Sequence, residues 1–128
     1  MSEPVWITRA TVLALQEQLL STFGGAPGLR DDTALKAALT RPEERYTTGE
    51  SSMFGLAATY GLGFMKQRPF ATGNKRLGFT IAIAFLELNG YHFRAAEADA
   101  ALRTLAAAAG AMDGADYAAW LEAHARRI

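Results

Sequence analysis

Cysteine is absent from this 128-residue sequence, which excludes disulfides and cysteine-based nucleophile or metal chemistry. Only two histidines occur, His92 and His124, so a transition-metal cluster built on imidazoles lacks its ligands. No apolar run reaches the roughly 20 residues that a membrane-spanning helix needs. Excess charge is missing too, because thirteen basic residues balance thirteen acidic ones. A general polyanion binder is usually basic, so direct nucleic-acid binding is not expected, although a local basic site remains open. The start of the chain has no basic region leading into an apolar stretch, so no secretory leader is expected and a cytoplasmic location is. No segment alternates with period two, the signature of half-buried strands.

Half of the residues are apolar, and alanine, the best helix former, occurs 26 times. Residues 1–8 read as extended, anchored by Val5, Trp6 and Ile7. Thr8 looks like the cap of a first helix that carries Val12, Leu15, Leu19, Leu20 and Phe23 and stops at Gly24-Gly25. A second helix is predicted from Asp31 or Asp32, with Pro42 just beyond its end and 42–51 as a polar loop. The spacing of Phe54, Ala57, Ala58, Leu62 and Met65 predicts a third helix over about 52–67. Gly55, Gly61 and Gly63 either weaken it, by about 1 kcal/mol each, or allow close helix contacts. Pro69 forces a break. A fourth helix runs from Gly73 or Asn74 to Leu88, and its nearly continuous apolar run places it at the centre of a bundle. Asn89-Gly90 stops it, and 91–93 reads as a short extended turn. An alanine-rich helix over 95–109 and a last helix capped by Asp113 or Asp116 complete the chain. The expectation is a single domain over residues 1–128, an all-α bundle of about six helices.

Chemistry concentrates in Arg68-Pro69-Phe70-Ala71-Thr72-Gly73-Asn74-Lys75-Arg76. This is a tight loop feeding the start of the central helix. The first N–H groups of a helix lack internal partners and carry partial positive charge. Gly73 lets a ligand approach the backbone, and Lys75 and Arg76 add two full charges where cations are unfavourable without an anion. Phosphate binding explains that placement. The alternative is a solvated Lys-Arg pair beside a glycine turn.

The same segment resembles the signature of the Fic/Doc family, His-Pro-Phe-x-(Asp/Glu)-Gly-Asn-(Lys/Gly)-Arg. Leu29-Arg30-Asp31, Ala57-Ala58-Thr59-Tyr60 and Phe85-Leu86-Glu87-Leu88-Asn89-Gly90 resemble its Doc toxin branch. The likeness runs from about Ile7 to Phe93. Family members that transfer AMP typically have Gly-Asn-Gly-Arg and a second arginine three residues on. Lys75 and Phe79 stand at those positions here, which points to Doc.

That resemblance implies a Fic/Doc fold with the motif loop ahead of the buried helix. It implies a kinase that uses ATP and Mg²⁺ and moves the γ-phosphate to a threonine of elongation factor Tu. It implies a toxin–antitoxin module, with the C-terminal helix of a Phd-like antitoxin docked in a groove. A partner helix needs an exposed apolar strip, for which the first helix and the alanine-rich fifth helix are candidates, the alternative being that both stripes are core. By matched position, Gly73, Asn74, Lys75 and Arg76 bind the phosphates, with the Asn74 side chain near them. Lys75 and Arg76 neutralise charge, Pro69 fixes the loop and Phe70 anchors it in the core. Lys66 is a further candidate for the positive site.

Two positions depart from the pattern. Arg68 stands where the family's general-base histidine would be, and arginine stays protonated in proteins. Thr72 replaces the acidic residue that holds Mg²⁺, leaving a neutral hydroxyl. His92 lies beyond the far end of the central helix, roughly 21 Å away, and is no substitute base. Asp31 or Asp32 reads as a helix cap, Arg126-Arg127 as a frayed tail, and 46–52 as either a target-aligning flap or a plain surface loop.

Overall fold

A computed structural model describes residues 3–128 and places six helices and one two-stranded sheet among them. The helices are α1 (Arg9–Phe23), α2 (Asp32–Thr47), α3 (Met53–Gln67), α4 (Asn74–Leu88), α5 (Glu97–Ala108) and α6 (Gly114–Ala123). The strands β1 (Tyr91–Phe93) and β2 (Ala125–Arg127) pair antiparallel, with His92 opposite Arg126. The extended turn expected at 91–93 is therefore a strand, and Arg126-Arg127 is its paired partner and not a frayed tail. Three residues are too few to show a period, so neither strand was visible in the pattern. The extended reading of residues 1 and 2 lies outside the described residues.

Helix starts follow local chemistry. Thr8, Asp31, Ser52 and Asp113 each accept a backbone N–H from the first turn they precede. Asp32, next to the α2 cap, reaches Arg9 of α1 at 2.6 Å, and that guanidinium holds its carboxyl below the usual range.

One boundary differs from the sequence reading. Pro42 lies inside α2, which continues five residues beyond it. Proline removes the bond to the carbonyl of Ala38 and disfavours a helix interior by about 3 kcal/mol. Packing overrides that penalty. Pro42 is buried, and beyond it the Tyr46 ring meets Trp6 edge-on, centroids 5.6 Å apart. The supposed loop over 42–51 shrinks to a tight turn, in which the Thr48 N–H donates to the Glu44 carbonyl and the Glu50 N–H to that of Arg45. Between the end of α2 and the start of α3 the described chain forms no strand.

The core is built around a pair of helices, α3 and α4. Leu56, Tyr60 and Phe64 of α3 and Leu77, Ile81 and Phe85 of α4 are fully buried. The two backbones come together at Gly61 and Gly78. A Cβ on Gly78 would lie 2.6 Å from the Gly61 carbonyl oxygen and 3.0 Å from Met65 Cγ. One on Gly61 would meet the Tyr117 ring of α6 at 3.1 Å. Gly63 is different: its nearest neighbour is Ala38 of α2 at 3.8 Å, an ordinary contact.

Both ends of α4 are tied down by an asparagine. At its start, Asn74 Oδ1 accepts the Phe70 N–H at 3.0 Å while Nδ2 donates to the Phe70 carbonyl at 2.9 Å. Past its end, Asn89 Oδ1 accepts the Val5 N–H at 2.7 Å and Nδ2 donates to the Val5 carbonyl at 3.0 Å. The N-terminal segment is further fixed by the Ile7 N–H, which donates to the buried Tyr60 hydroxyl at 3.1 Å. Burial pushes that phenol up to about 12. On the opposite side, the Trp120 indole N–H donates to Asp99 at 2.9 Å and joins α6 to α5; with Arg103 it holds the Asp99 carboxyl below its ordinary value.

The glycines of the central helix pair should separate on substitution according to what each one faces. Gly78→Ala, facing Gly61, is expected to lower stability by about 1–3 kcal/mol from overpacking, although alanine is the better helix former. Gly63→Ala should be neutral or stabilising by up to about 1 kcal/mol. Urea unfolding of the two variants checks the contrast.

Candidate active site

The reversal between α3 and α4 takes six residues, and its two ends are left-handed. Arg68 caps α3 at φ 50°, ψ 58°, and Gly73 opens α4 at φ 79°, ψ 13°. Arg68 is the single non-glycine residue with positive φ among the described residues. Such a conformation is disfavoured by roughly 1–2 kcal/mol for a side chain with a Cβ. Other contacts hold it in place. The Arg30 guanidinium donates to the Gln67 carbonyl at 3.1 Å and to the Arg68 carbonyl at 2.9 Å, placing a cation on the last carbonyls of α3.

Arg30 belongs to a splint that the sequence did not announce. Residues 26–31 run alongside the motif loop and bond to it in turn. The N–H groups of Arg30 and Asp31 donate to the Pro69 carbonyl at 2.7 and 3.0 Å, and the Ala71 N–H donates to the Gly28 carbonyl at 3.0 Å. The Thr72 hydroxyl donates to the Ala26 carbonyl at 3.1 Å. Leu29 and Phe70 form an isolated antiparallel bridge. Pro69 and Phe70 are buried beneath it.

Two buried polar side chains complete the support. Asn74, 7 % exposed, closes the two-pronged bond to Phe70 described above. Its side chain was expected beside the phosphates; both of its ends are instead engaged by the loop backbone. Gln16 of α1, 4 % exposed, donates from Nε2 to the Thr72 carbonyl at 2.9 Å. Its Oε1 has no partner, and it lies 3.8 Å from where a Cβ on Gly73 would sit. A buried acceptor without a donor is destabilising by about 1–3 kcal/mol. Sequence reasoning missed Gln16, because a lone glutamine on an amphipathic helix reads as surface.

What this scaffold displays is a bare helix start. Among the described residues, α4 alone has neither a side-chain cap nor an acidic residue in its first turn. Lys75 and Arg76 occupy that turn, exposed, with no carboxylate within ion-pair distance among the described residues. The Arg76 guanidinium lies over the Phe23 ring, 3.9 Å from its centroid. Backbone N–H groups, two exposed cations and a glycine N-cap share one helix start, which suits a phosphate.

The loop is not a metal cage. No group of three or more acidic or histidine side chains that would hold an ion occurs among the described residues. Thr72 offers one neutral oxygen, its proton directed at Ala26. The residues present thus do not fit a protein-held Mg²⁺. No histidine approaches the loop to replace the base either. His92 sits in β1 beside Glu87 at 3.6 Å, and the His124 ring bonds the Trp120 carbonyl at 2.9 Å. Lys66 is drawn away into another feature, a groove of about 830 Å³ between α2, α3 and the start of α6, floored by Gly55, Thr59 and Gly63.

Comparison with known proteins agrees with the motif. The sequence profile of the Fic/DOC family matches residues 6–86. The chain is 31% identical over 85 residues to "Protein kinase doc" of Escherichia phage P1, a stretch covering 66% of this chain and 68% of that relative.

Two substitutions test the loop's support by chemical denaturation. Asn74→Ala, which strands the buried Phe70 N–H, should lower stability by about 2–3 kcal/mol. Arg68→Gly relieves the left-handed strain and should raise it by up to about 1 kcal/mol.

Proposed function

The chain belongs to the Fic/DOC family, and on that premise we propose that it is a Doc-type protein kinase of a toxin–antitoxin module, held inactive by Arg68. The carrying observation is the uncapped start of α4, with Gly73 at its N-cap and Lys75 and Arg76 exposed in its first turn. ATP is the proposed phosphate donor and a threonine of elongation factor Tu the acceptor. Mg²⁺, if it takes part, arrives on the nucleotide phosphates, since the loop supplies no carboxylate.

Phosphoryl transfer asks mainly for positioning and charge neutralisation. The N–H groups opening α4 receive phosphate oxygens, and Lys75 and Arg76 balance their charge. Clamping by Asn74 and Gln16 keeps these groups fixed while the ligand binds, so little reorganisation is needed. The attacking threonine must also lose its proton. Arg68 occupies the end of α3 where the family's histidine would accept it, and a guanidinium has no lone pair to offer. Loss of a general base commonly lowers a rate by 10²–10⁴-fold.

Arg68 together with Thr72 also favours a second reading, a binding module that keeps the nucleotide site without catalysis. AMP transfer is opposed by Lys75 and Phe79. The proposed protein partner is a Phd-like antitoxin, which would cover apolar side chains left exposed on the helices the sequence pointed to, Leu13 on α1 and Leu102 and Leu105 on α5. A cognate antitoxin peptide should raise the melting temperature, and the rise should continue with the logarithm of peptide concentration above its Kd.

Incubation with γ-labelled ATP, Mg²⁺ and elongation factor Tu separates the two readings. The Arg68→His variant should transfer label at least about 10²-fold faster than the unsubstituted chain. ATP binding without transfer by either form would favour the binding module. A parallel incubation with α-labelled ATP would reveal AMP transfer instead, as label carried onto the acceptor protein.

A further inference from the structure

Phe23 is the last residue of α1, more than half of it is exposed at 57 %, and it is followed by two glycines at positive φ. A large aromatic left in water at a helix end has no packing reason to be there. Its contact is the Arg76 guanidinium, 3.9 Å from the ring centroid. Arg76 has no carboxylate partner among the described residues.

We propose that Phe23 is a positioning residue that holds Arg76 ready for a phosphate group without neutralising it. This rests on the reading of the α4 start as a phosphate site. A carboxylate in the same place would also hold the guanidinium. It would engage the N–H groups and cancel the charge, and the incoming phosphate would have to displace it. An aromatic face attracts the cation through its quadrupole and leaves the charge and the in-plane N–H donors available. Guanidinium stacked on a ring also loses less freedom when the anion arrives, because its long side chain is already ordered.

The location supports the role. Gly25, two residues on, lies so close to the motif loop that a Cβ there would come 2.6 Å from Thr72 Oγ1. The segment carrying Phe23 is therefore fixed to the loop through the Ala26 and Gly28 bonds. The ring and the α4 start are held to one another by backbone, and Arg76 bridges them.

The test is calorimetric titration of the full chain with two probes, ATP with Mg²⁺ and inorganic tripolyphosphate. It uses Phe23→Leu, Phe23→Trp, Arg76→Gln and the Phe23→Leu/Arg76→Gln double variant. Phe23→Leu should weaken both probes about 2–5-fold, the range of an exposed cation–π contact. Phe23→Trp should restore binding, and Phe23→Leu should add nothing once Arg76 is gone. By NMR, the upfield ring-current shift of the Arg76 Nε–H should vanish in Phe23→Leu, a readout independent of any ligand. Unchanged affinity in Phe23→Leu, an equal loss in the Arg76→Gln background, or a loss confined to ATP would each overturn the proposal and leave the phosphate site standing. Failure of the unsubstituted chain to bind either probe would overturn the phosphate site itself, and this role with it.

Discussion

Two helix backbones meeting with no side chain between them set the geometry of this molecule. At Gly61 and Gly78 the separation of α3 and α4 is set by main-chain atoms, since a Cβ on Gly78 would collide with the Gly61 carbonyl and one on Gly61 would crowd the Tyr117 ring and the Gly78 carbonyl. The chain must then reverse between two helices already in contact, in six residues. Left-handed turns at Arg68 and Gly73 accomplish this. The reversal presents the first turn of α4 outward while Phe70 is buried beneath the loop. The candidate site is thus a by-product of close packing, braced afterwards by Asn74, Gln16 and the residues 26–31 splint.

Electrostatics sharpen the distinction between α4 and its neighbours. Each of the others ends its unpaired N–H groups with a cap, an acidic first turn or both. Among the described residues, the most buried helix pair contains the one start that carries two cations with neither a side-chain cap nor an acidic residue beside them. A fold gains nothing in stability from that arrangement, and proteins tolerate such local conflict where a ligand resolves it. Arg68 adds a second conflict of another kind, a bulky residue in a backbone conformation that favours glycine. Both conflicts fall within nine residues.

Much of this was legible in the sequence because it rests on short-range chemistry. Thr8 and Asp31 announced their helices, Gly24 and Asn89-Gly90 their ends, and the motif loop its own position. Pro42 misled, because its local preference lost to contacts that Tyr46 makes with Trp6, 40 positions away in the chain. The three α3 glycines looked alike because only the neighbouring helix tells Gly61 from Gly63. Gln16 and Phe23 were invisible as site residues for the same reason. Each acts on a loop some fifty residues distant, and nothing near either marks it. The Asn74 side chain was legible in identity but not in direction, since an amide at a helix start serves equally to touch a ligand or to staple a loop.

The other staple, at Asn89, gives the protein a chemical clock. Asn89 precedes Gly90, a pairing in which the glycine nitrogen readily attacks the side-chain amide and releases ammonia. In the folded chain that amide is engaged at both atoms, by Val5 and by the Phe85 carbonyl, so it is held from reacting. Each local opening at the end of α4 exposes it. The resulting carboxylate cannot donate to the Val5 carbonyl, and the N-terminal segment then loses one of its two bonds to residue 89. Ageing of the chain would accordingly begin at the end of α4 remote from the motif loop, loosening the N-terminal segment while the phosphate cradle is still intact.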